Sequence, residues 1–170
     1  MIEVRVENIG LDSASNTPVV ILREVGAERV LPIWIGPGEA QAIAMHLRGM
    51  AFQRPLTHDL LVAVMGGLGG SLQRVLITRV ENSTYFAELI VEVEGRLVSI
   101  DARPSDSIAL ALRADARIYA ENALLEPGED GPPTPPENLR GEEEPGVSGA
   151  QLEEHLRQLR PEDLGRFNPS

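Results

Sequence analysis

A duplicated strand-to-helix junction constrains the fold of this chain more than any other feature. Residues 100–113, IDARPSDSIALALR, begin as an apparent strand, pass a proline and Asp106, and continue as an apparent helix. Residues 33–44, IWIGPGEAQAIA, have the same layout, and aligning the two prolines places Glu39 on Asp106. The chain therefore contains the same structural unit twice, with an acidic residue in the first turn of each helix.

The stretches that lead into the two junctions repeat as well. Residues 19–31 and 86–98 both have the pattern of a strand, a tight turn and a second strand. Runs of strands interrupted by helices, rather than strict alternation, favour an α+β fold. We predict a mixed, mostly antiparallel sheet built from a degenerate duplicated hairpin–strand–helix unit.

The spacing of apolar residues and the residues that start helices predict the individual strands and helices. Alternating apolar residues predict a first strand at residues 2–7, and proline or a candidate N-cap, Thr57, marks each helix start. The further predicted strands are Thr17–Val25, Arg29–Ile35, Leu72–Val80, Tyr85–Glu94, Arg96–Ala102 and Ile118–Tyr119, and the predicted helices are Pro37–Arg48, Leu56–Met65 and Pro104–Ala114.

The acidic charge is concentrated in the last part of the chain. Residues 1–120 hold 14 acids and 11 arginines, a balance of -3, whereas residues 121–170 hold 12 acids and 4 arginines, a balance of -8. We predict a folded domain over residues 1–125, a flexible Pro/Gly/Glu-rich linker over 126–149, and a short C-terminal helical segment over 150–170. The linker has almost no large apolar residue with which to offset its ordering entropy.

Composition excludes several classes of protein. There is no cysteine, which removes disulfides, thiolate nucleophiles and cysteine-ligated zinc. The N-terminus is a charged, alternating strand rather than a signal peptide, and no apolar run approaches the roughly 20 residues that span a bilayer. We therefore expect a soluble, cytoplasmic protein without a membrane partner. The net charge of -11 argues against strong nonspecific binding to duplex DNA.

Three collinear motifs resemble the bifunctional nuclease domain family of bacterial and plant proteins. They are LPIWIG followed by Glu39-Ala40, RPLTHDL at residues 54–60, and IDARPSD followed by ALALR at residues 100–113. The resemblance covers residues 1–125, and LRPEDL at residues 159–164 is similar to a short C-terminal element of some bacterial members.

The resemblance implies a metal-dependent nuclease of low sequence specificity that acts on DNA and/or RNA by phosphodiester hydrolysis. Mg²⁺ or Mn²⁺ would activate a water and stabilise the developing charge, and no organic cofactor is expected. The candidate catalytic residues are Asp101, Asp106, Asp59 and His58, of which the three aspartates are also the candidate metal ligands. The candidate phosphate-binding residues are Arg54, Arg103, Arg113 and Ser105.

Each candidate also has a structural interpretation. Asp106 falls at the third position of its predicted helix, as Glu39 does in the first repeat, where a carboxylate favours the free amides and the helix dipole. Asp59 in a first turn can do the same. The alternative function is therefore a non-catalytic oligomeric module with a regulatory or anionic-ligand-binding role.

Two further structural predictions follow from the sequence, of which the second bears on the choice of function. Helices at residues 40–47 and 108–112 are apolar nearly all round, which predicts a homodimer or a higher homo-oligomer. The nucleic-acid hypothesis, with weak and nonspecific binding, predicts one charged cluster that contains Arg54, Asp59, Asp101, Arg103 and Asp106.

Overall fold

The computed structural model describes residues 1–12 and 15–128. The linker and C-terminal helix predicted beyond residue 128 lie outside the described residues. The elements in chain order are β1 Ile2–Leu11, β2 Pro18–Glu24, β3 Val30–Trp34, α1 Pro37–Leu47, α2 Thr57–Gly67, β4 Gly70–Glu81, β5 Thr84–Val93, β6 Arg96–Ala102, α3 Pro104–Ala114, β7 Arg117–Ala120 and the 3₁₀ turn Asn122–Leu124. None of the described helices is long and apolar enough to span a membrane.

Local sequence signals explain most element boundaries. Pro37 and Pro104 occupy first-turn positions of α1 and α3, where a proline loses no hydrogen bond and its fixed φ suits the helix. The two-residue turn between β5 and β6 consists of Glu94 and Gly95, both with positive φ, which matches the right-handed twist of a hairpin. The N-cap prediction was wrong by one residue, because Thr57 is the first helical residue of α2 and Leu56 holds the cap position.

The sheet has seven strands in the order β3-β2-β1-β7-β4-β5-β6. All neighbouring pairs are antiparallel except β4 and β7, which are parallel, so the predicted mixed, mostly antiparallel α+β fold is confirmed. The order is symmetric about β7. Strands β1, β2 and β3 lead into α1 on one side, and β4, β5 and β6 lead into α3 on the other, as the duplication in the sequence indicated.

The core lies between one face of the sheet and the helices. Helices α1 and α3 pack against each other, and α2 packs against α3 and β4. The large side chains that are least exposed come from both repeats: Leu22, Leu31, Ile43, Ile77, Ile108 and Leu110. Burying such a side chain stabilises the fold by roughly 1.5–3 kcal/mol.

Two elements keep large apolar side chains exposed. No residue of α2 is buried, and none is buried in the edge strand β6. Seven exposed apolar residues lie on these elements or directly after α2: Leu60, Leu61, Val64, Leu68, Leu97, Val98 and Ile100. The opposite edge strand of the sheet, β3, is partly covered, because Glu126 exchanges two backbone hydrogen bonds with Val30.

We predict that the folded domain ends at this bridge. A chain truncated after Gly128 should unfold at the same temperature as the full chain. Truncation after Leu124 removes Leu125, which is buried in the core, and the pairing of Glu126, so it should lower the free energy of unfolding by roughly 2–5 kcal/mol. Thermal and urea unfolding measure both. A large loss on the first truncation would show that residues beyond 128 stabilise the domain.

We predict from the exposed apolar residues that the full chain self-associates at micromolar concentration. The double variant Leu60→Lys/Leu97→Lys places a charge on α2 and on β6 and should shift the mass measured by light scattering toward the monomer. Val80→Lys, at an exposed apolar position on β4, is the matched control and should not. A wild-type chain that is monomeric at this concentration contradicts the prediction.

Candidate functional site

The packing of α1 against α3 brings the first turns of the two helices together. Arg103, just before α3, donates from Nε to Asp106 Oδ2 at 2.7 Å and pairs through Nη1 with Glu39 Oε1 at 2.8 Å. One guanidinium therefore joins the two carboxylates that occupy equivalent positions in the repeats. From the sequence, Glu39 was predicted only to complement the helix dipole. Its alignment with Asp106 in the other repeat was the one feature that could have indicated a shared partner.

The first repeat has a glycine where the second has this arginine. With the prolines aligned, Gly36 corresponds to Arg103. A Cβ at Gly36 would collide with the carboxylate of Glu39. The missing side chain therefore leaves the space in which Glu39 turns toward Arg103.

His58, from the first turn of α2, completes this group. Its Nε2 lies 3.1 Å from Asp106 Oδ1, and its side chain is only 14% exposed. We call Glu39, His58, Arg103 and Asp106 the helix-start cluster. An ionised carboxylate only accepts hydrogen bonds, so the hydrogen of this contact sits on Nε2. In neutral His58 the basic nitrogen is consequently Nδ1.

Asp106 stays ionised because of its partners. Burial alone would raise the pKa of this carboxyl, but the hydrogen bonds from Arg103 and His58 and the charges of both outweigh burial, and the pKa is lowered. The first turn of α3 is also held by Ser107, whose Oγ donates to the Arg103 carbonyl at 2.9 Å. Asp106 is thus fixed in place and charged.

A second arginine binds all three helices. The Nε of Arg113 donates to Asp59 Oδ1 at 2.5 Å, Nη1 to the Ala109 carbonyl at 2.9 Å and Nη2 to the Ala42 carbonyl at 3.0 Å. Ala42 and Ala109 are equivalent positions of the repeats. We call Arg113 and these three acceptors the arginine clamp.

Asp59 is bound at both oxygens. Its Oδ2 accepts from the backbone N–H of Leu56 at 2.9 Å, which caps the start of α2. Burial would raise the pKa of Asp59, but the hydrogen bonds from Leu56 and Arg113 and the positive charges of Arg113 and His46 lower it. Asp59 therefore caps the start of α2, and the same carboxylate also forms a charge pair with Arg113.

The structure does not assemble the predicted single cluster in full. Asp101 of β6 lies opposite Glu88 of β5. Its two neighbours, Ile100 and Ala102, lie opposite Leu89 and Ala87, which belong to the core. Because side chains alternate along a strand, Asp101 points to the face opposite the helices. The cluster prediction was therefore wrong for Asp101. Arg54 is exposed and forms no ion pair with any described residue, so its place in the cluster stays a prediction.

Two candidate phosphate-binding residues are buried rather than presented to solvent. The side chain of Arg113 is 6% exposed, with all three nitrogens directed at protein acceptors, and Ser105 is 7% exposed. Arg103 is 66% exposed and remains accessible. Of the four candidates, Arg54 and Arg103 are therefore accessible to solvent, and Arg103 is the one that the structure shows in contact with Glu39 and Asp106.

The proposed metal ligands do not fit a divalent ion in this arrangement. Asp59 and Asp106 are each bound by an arginine, and Asp101 lies on the other face of the sheet. Among residues 1–12 and 15–128, no three His, Asp or Glu side chains form a group that could hold a metal.

Comparisons with known proteins agree with the motifs. The model of the bifunctional nuclease domain matches residues 20–129. An uncharacterized protein of Mycobacterium tuberculosis is 46% identical over 123 residues, which are 72% of this chain and 73% of that protein. Bifunctional nuclease 1 of Oryza sativa subsp. indica is 26% identical over 116 residues, 66% of this chain and 35% of that protein. Bifunctional nuclease 1 of Arabidopsis thaliana is 26% identical over 116 residues, 66% of this chain and 36% of that protein.

We predict a specific acid dependence from Asp59. Because its folded pKa is lowered, the stability it contributes is present above its ordinary pKa and lost as pH falls through the folded value. The difference in unfolding free energy between wild type and Asp59→Asn should stay constant from pH 7 to about 5 and shrink toward about pH 3.

Urea unfolding at a series of pH values measures this difference. Asp115→Asn makes the same chemical change at an exposed position after α3, outside the ion pairs of the described residues, and is the control. A difference for Asp59→Asn that is the same at every pH would contradict the charge pairing with Arg113.

Proposed function

Because the chain belongs to the bifunctional nuclease domain family, we propose that it hydrolyses phosphodiester bonds in nucleic acid. The observation that supports the proposal is the helix-start cluster. It combines an oriented imidazole, an ionised carboxylate and an accessible guanidinium within one group of contacts. The plant proteins to which the chain is similar are named as nucleases.

In the proposed mechanism His58 moves the proton. Asp106 binds Nε2, so Nδ1 of the neutral ring accepts a proton from the attacking hydroxyl or water as the bond to phosphorus forms. The resulting imidazolium is stabilised by Asp106, whose pKa is lowered and which therefore stays negative. The imidazolium can then protonate the leaving oxygen as its bond to phosphorus breaks.

Arg103 has the position and charge to bind the phosphate. Its side chain is exposed, and its planar guanidinium can turn from Glu39 toward a phosphate while Asp106 still holds Nε. Contacts to phosphate carry no sequence information, so a site of this kind would act with low specificity on DNA and/or RNA. The acidic chain favours weak rather than tight binding of nucleic acid.

A second candidate function rests on the same charges. Asp59 and Asp106 are both neutralised by arginine, as expected if the polar groups only fasten the helices together. The exposed apolar residues on α2 and β6 suit an oligomeric module. In that case Arg103 would bind an anionic ligand without cleaving it.

We predict that His58→Gln lowers cleavage of nucleic acid by about 10²–10⁴-fold, the range for loss of a general acid–base group. The assay uses highly purified full-length protein on single-stranded DNA and RNA, with and without EDTA. Arg103→Met should also lower activity, through loss of the phosphate contact. His155→Gln makes the same chemical change outside the matched domain and should cleave like wild type.

The other outcomes are equally informative. Activity that survives in His58→Gln assigns the cleavage to another group or to a contaminant. Activity that EDTA abolishes contradicts the metal-free mechanism and supports an ion that displaces the arginines from Asp59 and Asp106. A wild-type protein that binds but does not cleave supports the second candidate function. Circular dichroism confirms that each variant is folded before its activity is interpreted.

A further inference from the structure

The residue that joins the most elements around the site does not contact the proposed reacting group. Arg113 is almost fully buried, and its guanidinium donates to acceptors on α1, on α2 and on its own helix α3. The sequence motif suggested a phosphate contact for this residue, but each of its three nitrogens donates a hydrogen bond to an acceptor within the protein.

Of the three acceptors that Arg113 binds, only the one on α2, the carboxylate of Asp59, is charged. Helix α2 buries no residue fully, and much of its apolar surface faces solvent. Its start is instead held by Asp59, which accepts from Arg113 with one oxygen and from the Leu56 N–H with the other. The position of the first turn of α2 therefore depends on Arg113.

This first turn also carries His58. The imidazole and the carboxylate of Asp59 come from consecutive residues, and they bind opposite ends of α3: His58 reaches Asp106 in its first turn and Asp59 reaches Arg113 in its last. Two anchors separated along α3 fix both the position and the rotation of the turn. With only one of them, the imidazole could pivot about its remaining contact.

We propose that Arg113 is a positioning residue, which sets the imidazole of His58 against Asp106 through Asp59 and the first turn of α2. The contact between α1 and α3 does not require α2, because the buried core residues of the helix layer come from α1 and α3. Loss of Arg113 should thus loosen the start of α2 while the sheet and the helix pair remain. The catalytic consequence rests on the proposed function.

The test compares three full-length variants. Arg113→Met removes the guanidinium but leaves Asp59 without its partner. Arg113→Met/Asp59→Asn removes both charges, so that it stays folded even where the single variant does not. Arg117→Met removes an exposed arginine of β7 whose ion-pair partner is Glu3 of β1, 3.8 Å away, rather than a residue of α2, and serves as the matched control.

The first readout is the hydrogen-bonded ring N–H proton of His58, observed by NMR at low temperature. The chain has three histidines, so His46→Gln, His58→Gln and His155→Gln assign the signals, and Asp106→Ala shows the spectrum without the acceptor. We expect the resonance in wild type and Arg117→Met, and its loss in both Arg113 variants. Its persistence in the folded double variant would overturn the proposal, and its absence from wild type would contradict the His58–Asp106 contact itself.

The second readout is the rate of cleavage. A misplaced imidazole should lower kcat about ten- to hundredfold in the double variant, with a smaller change in KM, because Arg103 still binds phosphate. An unchanged kcat in a variant that has lost the ring N–H resonance overturns the catalytic part. If wild type cleaves nothing while the resonance behaves as expected, the proposed function fails and the positioning role stands.

Discussion

Two arginines that each bind equivalent positions of both repeats are the interaction on which the site depends. Arg103 binds the acidic residue at the third position of α1 and of α3, and Arg113 binds a backbone carbonyl on each of these helices. The guanidinium of Arg103 joins the first turns of the two helices, and that of Arg113 joins them further along the chain. A buried charge without its partner is costly, so this packing requires the carboxylates to stay in place.

The internal symmetry is broken where the chemistry is proposed. The first repeat has Gly36 and His46 where the second has Arg103 and Arg113. Only one arginine is therefore present at each of these two places, and it contacts the equivalent groups of both repeats: Arg103 the carboxylates of Glu39 and Asp106, and Arg113 the carbonyls of Ala42 and Ala109. Helix α2 has no counterpart between α3 and β7, and it brings an imidazole to one side of the helix pair only. A duplicated scaffold thus acquires a single site rather than two.

The fold could be read from the sequence because its signals are local. Proline at a helix start, a two-residue turn with positive φ, and apolar alternation are each decided by a few neighbouring residues. The partners of the charged side chains depend on packing between distant elements, so the roles of Glu39 and Arg113 were missed. Asp101 was assigned to the site although its apolar neighbours on β6 already indicated that it faces away from the helices. The family resemblance located the right motifs but did not say which charges meet.

Arg113 and Asp59 should act as one unit if together they hold α2 on the helix pair. A double-mutant cycle measures this directly, from the unfolding free energies of wild type, Arg113→Met, Asp59→Asn and the double variant at neutral pH. We expect a coupling energy of roughly 1–3 kcal/mol, as found for residues in one charged network. Effects that add to within about 0.5 kcal/mol would show that the two residues act independently and would contradict this expectation.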